Sequence, residues 1–395
     1  MRRFLSILLL AVILLTGCQI KPMEETEATA PSGSVAPPAS KPSEPAVPDA
    51  VQTYLQELTL AQKVGQLFIA EPEQLWKKSG AVTEVTGELK AALEQYPVGG
   101  MILFAENLIS PEQLTALTKE LQAASQIPLF IATDEEGGRV ARLANHKAFN
   151  LPKYENAAAV GSSGNPQAAQ AMGSTIGAYL KEYGLNLNFA PVADVNTNKK
   201  NPIIGTRAFS SDPLIADKMA KAFAQGLREK GVAATFKHFP GHGDTVEDSH
   251  IGLATNRKTK EELQNCEWIP FQSASRTDMV MVGHIALPQV TGNMLPASMS
   301  KEIVTGILKQ ELGFSGLVIT DALNMGAITK SYTAGEAAVT ALQAGCDILL
   351  MSEDLEEAFD AVMDALENGT LSVQWLDDTV YRILRFKYEH KILTF

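Results

Sequence analysis

The sequence predicts an α/β protein of the TIM type, a (β/α)8 barrel, and three observations support this prediction. Eight short apolar runs, typical of buried strands, alternate with longer amphipathic stretches over the 345 residues that follow position 50. Eight consecutive βα units at this length favour a closed barrel over an open doubly wound sheet. No Gly-x-Gly-x-x-Gly motif follows the first run, which argues against a Rossmann fold. Polar residues end several runs, as expected at the catalytic face of a barrel.

The runs and stretches locate the elements along the chain. Each strand is predicted from a short apolar run, and each helix from an amphipathic stretch that begins near a capping residue such as Ser110. The predicted strands cover residues 66–71, 98–104, 128–134, 187–191, 232–237, 279–284, 317–321 and 346–351. Clear helices are predicted over 111–124, 166–183, 213–230 and 300–312.

The N-terminus has the pattern of an export signal. Arg2 and Arg3 precede an apolar run over residues 4–15, which is too short to span a bilayer comfortably. The following Leu15-Thr16-Gly17-Cys18 resembles the bacterial lipobox, in which the cysteine is lipidated and becomes the first mature residue. We therefore expect residues 1–17 to be a lipoprotein signal peptide and Cys18 to anchor the protein at the outer face of the membrane. An ordinary signal peptide with an incidental cysteine is the alternative.

Residues 18–50 differ in composition from the rest of the chain. They contain seven prolines and almost no large apolar side chains, so a flexible, partly polyproline tether is expected there. The catalytic unit is then residues 51–395. An excess of 45 acidic over 33 basic residues argues against a nucleic-acid partner. No obligate protein partner is indicated.

One segment, residues 237–250, carries a dense group of titratable side chains. It holds three of the six histidines and three carboxylates within fourteen residues. A proline and two glycines in it exclude a regular helix, so a shaped loop is predicted. In an extended loop Asp248 and His250 can point the same way, and a carboxylate fixes the tautomer of an adjacent imidazole. The pattern predicts that this pair transfers protons.

Two other interpretations of this loop stay open at this level. The first is a polar, solvated turn, and the second is a zinc site formed by His238, His242 and His250. Zinc ligands usually come at short helical or knuckle spacings that these histidines do not match, so no metal or other cofactor is predicted. Elsewhere, Cys346 lies in an apolar run typical of a core, and a disulfide between it and Cys266 also stays open.

The barrel prediction places a set of polar groups on one face. Residues at the carboxyl ends of the predicted strands should meet around the mouth of the barrel. Any single one of them could be a capping or turn residue, but their coincidence at the same end indicates a site. The set is Glu71, Asp134, Asp194, Lys237, His238, His284 and Asp321.

Seven collinear motifs resemble glycoside hydrolase family 3, in its bacterial exo-β-N-acetylglucosaminidase branch. The resemblance runs along almost the whole predicted barrel. The segments that carry it are residues 60–68 (LAQKVGQLF), 99–107 (GGMILFAEN), 134–140 (DEEGGRV), 188–194 (NFAPVAD), 201–209 (NPIIGTRAF), 237–250 (KHFPGHGDTVEDSH) and 319–327 (ITDALNMGA). Glu135 departs from the pattern, because the family more often has Gln there.

The resemblance implies a retaining hydrolase that removes terminal β-linked N-acetylglucosamine, and we expect peptidoglycan fragments to be the natural source. It implies Asp321 as the nucleophile that forms a glycosyl-enzyme intermediate, and His250, oriented by Asp248, as the acid/base. It implies that Asp134, Arg207, Lys237 and His238 bind the sugar, with Asp194 and His284 as secondary contacts. The roles of Arg139, Arg142 and His242 stay open.

Three alternatives accompany this interpretation. The first is a β-glucosidase of the same family. Those enzymes usually take a carboxylic acid from a second domain; only a short stretch follows the eighth predicted strand, so we expect the acid/base to come from the barrel. Adjacent Asp134 and Glu135 could instead serve a mechanism in which the substrate's acetamido group is the nucleophile, although neighbours at a strand end normally point to opposite faces. From another class, a lipid-anchored solute-binding protein would suit the N-terminus and the α/β body.

Overall fold

The computed structural model describes residues 49–77, 80–245 and 252–395. The predicted signal peptide, Cys18, nearly all of the tether and the pair Asp248 and His250 lie outside the described residues. Within the described ranges, no helix is both long enough and apolar enough to cross a membrane.

The core of the fold is a closed barrel of parallel strands, which confirms the predicted (β/α)8 class. Its strands pair in chain order, and the first closes the barrel by pairing with both the second and the last, through Ile69 beside Gly100 and Phe68 beside Leu349. We label these strands β1 to β8. They are β1 Phe68–Ala70, β2 Gly100–Ile102, β3 Phe130–Thr133, β4 Leu187–Asn188, β5 Ala233–Phe239, β6 Met279–Val282, β7 Leu317–Ala322 and β8 Ile348–Leu350.

Helices follow the strands around the outside of the barrel, and two short strand pairs extend its rim. The α-helices are Asp49–Glu57, Leu60–Gly65, Pro72–Leu75, Gly87–Gln95, Pro111–Ala124, Ala157–Gly161, Pro166–Glu182, Pro213–Glu229, Lys260–Gln264, Pro288–Thr291, Gly326–Thr329, Ala334–Ala344, Leu355–Glu367 and Val373–Glu389. Short 3-10 turns cover Ala105–Asn107, Gly205–Arg207, Ile269–Ser273 and Ala297–Met299, and Glu302–Glu311 is a π-helix. The rim pairs are Glu135–Gly137 with Val140–Ala141, antiparallel, and Ala254–Thr255 with Ile285–Ala286, parallel.

The predicted elements are confirmed in position, with differences at their ends. Ser110 caps its helix as expected, because its hydroxyl accepts a hydrogen bond from the Gln113 amide. The fourth strand, Leu187–Asn188, is shorter than predicted, although single backbone hydrogen bonds to both neighbouring strands continue as far as Pro191. The fifth runs two residues past Lys237, so His238 is a strand residue rather than a loop residue. Cys266 and Cys346 are both free thiols, and Cys346 is buried as predicted.

The N-terminal end of the barrel is closed by a buried lysine from the last helix. The Lys387 ammonium donates to the Gln66 side-chain oxygen at 2.7 Å and to the Gly99 carbonyl at 2.9 Å, and it lies 4.8 Å from the centre of the Phe130 ring. Gln66, Gly99 and Phe130 stand at or just before the starts of the first three strands. Burial lowers the pKa of Lys387 to about 7. This end is therefore packed, and the opposite end is left for a site.

Candidate active site

A pocket of about 540 Å³ opens at the carboxyl ends of the barrel strands. Its size is within the range of small-molecule sites. Charged groups share its lining with aromatic and aliphatic side chains. The lining residues are Ile102, Phe104, Asp134, Glu136, Arg139, Val140, Arg142, Phe189, Pro202, Ile203, Arg207, Lys237, His238, His242, Met281, Asp321, Ala322, Asn324, Met325, Leu350 and Met351. The structure thus brings together Asp134, Arg207, Lys237, His238 and Asp321, as the sequence predicted.

Lys237 is the central cation of the pocket. Its ammonium lies 2.8 Å from the Asp134 carboxylate and 2.6 Å from the Glu136 carboxylate, and its side chain is only 3% exposed. Burial alone would lower the pKa of Lys237, but the two carboxylates raise it, so the amine stays charged. A charged amine at this depth can donate to both carboxylates and still face a sugar hydroxyl, because an ammonium has three hydrogens.

Glu136 is a member of the site that the sequence reasoning missed. Its carboxylate accepts two hydrogen bonds from the Arg207 guanidinium, at 2.8 and 2.7 Å, in addition to its contact with Lys237. Burial by itself would raise the pKa of Glu136, but Arg207 and Lys237 hold it well below its usual range. Strand alternation could have identified it, since residues two apart share a face and Glu136 follows Asp134 by two.

Asp134 lies between two cations at the end of β3. Its second carboxylate oxygen lies 3.2 Å from the Arg142 guanidinium, which is itself 5.1 Å from the centre of the Phe104 ring. Burial would raise the pKa of Asp134, but Lys237 and Arg142 lower it, so an ionised acceptor faces the pocket. Arg142 is therefore part of the charged network, which resolves a role that the sequence left open. An ionised carboxylate held in this way is suited to accept hydrogen bonds from sugar hydroxyls.

Asp194 holds two histidines of the site, His238 in β5 and His242 in the loop that follows. The Asp194 carboxylate contacts the His238 Nδ1 at 2.7 Å and accepts the His242 backbone amide at 2.6 Å. Asp194 is fully buried and does not line the pocket, so its predicted role as a secondary sugar contact is wrong: it orients His238 instead. Burial and the neighbouring His238 lower the pKa of His242, which also contacts the Thr245 hydroxyl at 2.7 Å.

Asp321 lies near the end of β7 and faces the pocket. One of its oxygens accepts the Ala322 amide at 2.8 Å. Burial would raise the pKa of Asp321, but His238, His284, the Ala322 amide and Lys237 together lower it. The carboxylate is therefore ionised near neutral pH, which a nucleophile requires.

The predicted secondary sugar contact His284 does not reach the pocket. Its side chain is fully buried, with Nε2 2.9 Å from the Ala322 carbonyl and Nδ1 2.8 Å from the Ser298 hydroxyl. That prediction is corrected: His284 supports the strand end beside Asp321. Glu71, also at a strand end, does not line the pocket either.

Glu135 points away from the pocket, as strand alternation led us to expect. It is fully buried, and it accepts hydrogen bonds from the Tyr179 hydroxyl at 2.8 Å and from the Leu143 and Ala144 amides at 2.9 and 3.0 Å. It therefore holds the hairpin that follows β3. The neighbouring pair Asp134 and Glu135 does not present two carboxylates to one substrate, which removes the basis for substrate-assisted catalysis by these residues.

The acid/base pair predicted from sequence, Asp248 and His250, lies outside the described residues. The last described residue before it, Thr245, is buried, and its hydroxyl contacts His242, which lines the pocket. Among the residues that the structure describes, no group of three or more His, Cys, Asp or Glu side chains is arranged to hold a metal ion. His250 is not covered by that statement, so the expectation of a metal-free site stays a prediction.

Fold and pocket together define a (β/α)8-barrel enzyme with an ionised carboxylate and a network of buried charges at the catalytic face. Residues 59–386 match the model of the glycosyl hydrolase family 3 N terminal domain. The chain therefore belongs to glycosyl hydrolase family 3.

Relatives from several bacteria agree with this assignment. Beta-hexosaminidase A of Pseudoalteromonas piscicida is 35% identical over 365 residues, covering 84% of this chain and 61% of the relative. The chain thus spans about three fifths of that relative's length. Beta-hexosaminidase of Idiomarina loihiensis is 38% identical, covering 72% of this chain and 85% of the relative.

Solved structures show the same barrel. A family 3 beta-N-acetylglucosaminidase from Paenibacillus sp. str. FPU-7 matches with a TM-score of 0.79 and 37% identity, covering 86% of this chain and 65% of that chain. A glycosyl hydrolase of the same family from Mycobacterium smegmatis matches with a TM-score of 0.72 and 30% identity, covering 84% of this chain and 98% of that chain. One family member is therefore matched over nearly its whole length by this barrel.

Proposed function

We propose that this protein is a retaining exo-β-N-acetylglucosaminidase. The observation that carries the proposal is the position of Asp321, an ionised carboxylate that shares one pocket with the Asp134, Lys237, Glu136 and Arg207 network. A nucleophile beside fixed hydrogen-bonding groups is what glycoside cleavage through a covalent intermediate requires. The names of the relatives, beta-hexosaminidase and beta-N-acetylglucosaminidase, support the choice of sugar.

The proposed reaction has two steps. Asp321 attacks the anomeric carbon while His250, oriented by Asp248, protonates the leaving oxygen, which breaks the glycosidic bond and forms the glycosyl-enzyme ester. His250 then takes a proton from water, which attacks the same carbon and releases Asp321. Two displacements leave the sugar with its original β configuration. Asp134 and Lys237 hold the sugar hydroxyls throughout, and His238 joins them from the orientation set by Asp194.

The choice of sugar is tested with two aryl glycosides that share a leaving group. The purified protein is expected to hydrolyse 4-nitrophenyl β-N-acetylglucosaminide far better than 4-nitrophenyl β-glucoside, measured as kcat/KM. Proton NMR during the first minutes should show the β anomer as the initial product. Comparable rates on both glycosides would indicate a general β-glycosidase, and no hydrolysis of either would favour the solute-binding alternative.

The natural substrate we propose is a peptidoglycan fragment in which N-acetylglucosamine precedes N-acetylmuramic acid. Arg139 supports this choice. It is exposed at the pocket, its guanidinium donates to the Ile203 carbonyl, and within the described part of the chain it forms no ion pair with a carboxylate. A cation in that position can attract the lactyl carboxylate of muramic acid in the aglycone.

The aglycone is tested by comparing two disaccharides that differ in the lactyl group. We expect N-acetylglucosaminyl-muramic acid to be cleaved faster than chitobiose, and Arg139→Gln to reduce this preference about five-fold, as an ion pair of ~1 kcal/mol would. The ratio between the substrates is the readout, because a general loss of activity cancels in it. Lys221→Gln, the same charge change on an exposed residue of the helix Pro213–Glu229, is the control. An unchanged ratio in Arg139→Gln contradicts the assignment.

We also propose that the enzyme is exported and held at the membrane by a lipid on Cys18. The lipobox-like sequence before Cys18 and the proline-rich stretch after it support this proposal. Cys18→Ser is expected to move the active enzyme from the membrane fraction to the soluble fraction of the expressing bacterium. Activity that stays in the membrane fraction after this change would contradict lipid anchoring.

A further inference from the structure

The strand that carries Asp321 has an irregularity at the nucleophile itself. Beside β6 the register of β7 is regular, from Leu317 opposite Met279 to Thr320 opposite Val282. Beside β8 it shifts, because Ile319 pairs with Ile348 and Ala322 with Leu350. Two residues of β7, Thr320 and Asp321, therefore face a single residue of β8. Such bulges redirect side chains and occur often next to active sites.

The Thr320 side chain provides a hydrogen-bond acceptor for β8 where the bulge interrupts the ladder. Its hydroxyl oxygen accepts the Leu350 amide at 3.0 Å, so a side chain takes the place of a main-chain carbonyl. Thr320 is fully buried, and water has no access to this hydrogen bond. A buried amide that loses its acceptor is costly, so this contact stabilises the bulged form of the strand.

His284 holds the residue on the other side of the nucleophile. The Ala322 carbonyl can only accept, so the proton between it and His284 lies on Nε2, and Nδ1 lies 2.8 Å from the Ser298 hydroxyl. The same residue, Ala322, donates its amide to the Asp321 carboxylate at 2.8 Å. His284 thus fixes the carbonyl of Ala322, and the amide of the same residue holds the Asp321 carboxylate.

We propose that Thr320 and His284 are positioning residues that orient the Asp321 carboxylate toward the anomeric carbon. The inference rests on the proposed role of Asp321 as nucleophile. Covalent catalysis needs the attacking atom within a few tenths of an ångström and about 10–20° of the productive geometry. The bulge creates that orientation, and the two buried side chains hold it from either side.

Thr320 is tested with an isosteric pair of variants. Thr320→Val keeps the shape of the side chain and removes the acceptor of the Leu350 amide, whereas Thr320→Ser keeps the hydroxyl. We expect kcat to fall about 10- to 100-fold in Thr320→Val, with KM within two-fold of wild type, and to fall much less in Thr320→Ser. The loss should be equal for activated and unactivated leaving groups, because it concerns attack rather than protonation.

Thr235 offers a matched control on a neighbouring strand. It is fully buried in β5, and its hydroxyl has no hydrogen-bond partner among the described residues. Thr235→Val is expected to keep the wild-type kcat. The midpoint of thermal unfolding is measured for every variant, with kcat expressed per folded enzyme. A wild-type kcat in folded Thr320→Val, or a change in KM alone, overturns the positioning role of Thr320.

The role of His284 is tested with two substitutions whose side chains differ in length. Glutamine can place an amide N–H near the position of the imidazole Nε2 and donate to the Ala322 carbonyl, whereas asparagine is too short. We expect His284→Gln to keep a larger fraction of kcat than His284→Asn, again with little change in KM. Equal losses in the two variants overturn the role of His284. If Asp321→Asn itself keeps its activity, the proposed function fails instead, so the two failures are distinguishable.

Discussion

Replacing Asp321 with Asn or Ala is expected to abolish turnover of every β-glycoside, whatever its leaving group. The carboxylate faces the pocket from the end of β7, and the cationic and amide groups around it keep its pKa low enough for it to be ionised. Without it no glycosyl-enzyme ester can form, and we expect kcat to fall on the order of 10⁴-fold or more. Steady-state kinetics on aryl and disaccharide substrates measure the effect.

The control for this result is chemical rescue. In Asp321→Ala, added azide can occupy the space of the lost carboxylate and attack an activated aryl glycoside from the same side. The product should be the α-glycosyl azide, because only one displacement has occurred. Asn is close in shape to Asp, so Asp321→Asn should also unfold near the wild-type temperature. Substantial hydrolysis by folded Asp321→Ala without azide would mean that another group is the nucleophile.

His250→Ala is expected to separate substrates by the quality of their leaving groups. A nitrophenolate departs without a proton, so its release should be nearly unaffected. A sugar hydroxyl needs the proton, and its release should slow by about 10²- to 10⁴-fold, the contribution of general acid catalysis. Asp248→Ala should give a milder form of the same pattern, since it only orients the imidazole. The measurement is the initial glycosylation rate on a series of leaving groups.

His238 provides the comparison for this experiment. It is the histidine that the structure places in the pocket with a buried carboxylate, Asp194, on its Nδ1. If His238 only binds the sugar, His238→Ala should slow the release of good and poor leaving groups by the same factor. If His238→Ala shows the dependence on leaving group and His250→Ala does not, the acid/base is His238. The two variants together therefore show which of the two histidines is the acid/base.

Most of the barrel could be predicted because its signals are local. Each strand is a short apolar run, since parallel strands in a barrel are buried on both faces, and several of the longer helices begin at a capping side chain, such as Ser110 or Asp212. The ends were less predictable. The regular part of β4 is limited to Leu187–Asn188 and β5 continues to Phe239, because pairing depends on neighbours that are distant in the chain.

Within the site, the residues that line the pocket could be predicted from the sequence better than the residues that support them from behind. Asp194 and His284 come after their strands, as several of the pocket-lining residues do, and nothing in their spacing shows that they turn away from the pocket. Glu136 was not predicted, although it follows Asp134 by two residues and strand alternation places both on one face. Only the packing shows that Glu136 lies between Lys237 and Arg207, while Glu135 is buried under Tyr179.

The sequence by itself determined the barrel, its catalytic face and the pocket residues Asp134, Arg207, Lys237, His238 and Asp321. Strand periodicity and strand ends are local patterns in the sequence. The tertiary structure decided which charges meet. The pairing of Lys237 with Asp134 and Glu136, the support of His238 by Asp194, and the bulge between Thr320 and Ala322 each join separate strands. Such contacts depend on the register in which the barrel closes, and no local pattern encodes that register.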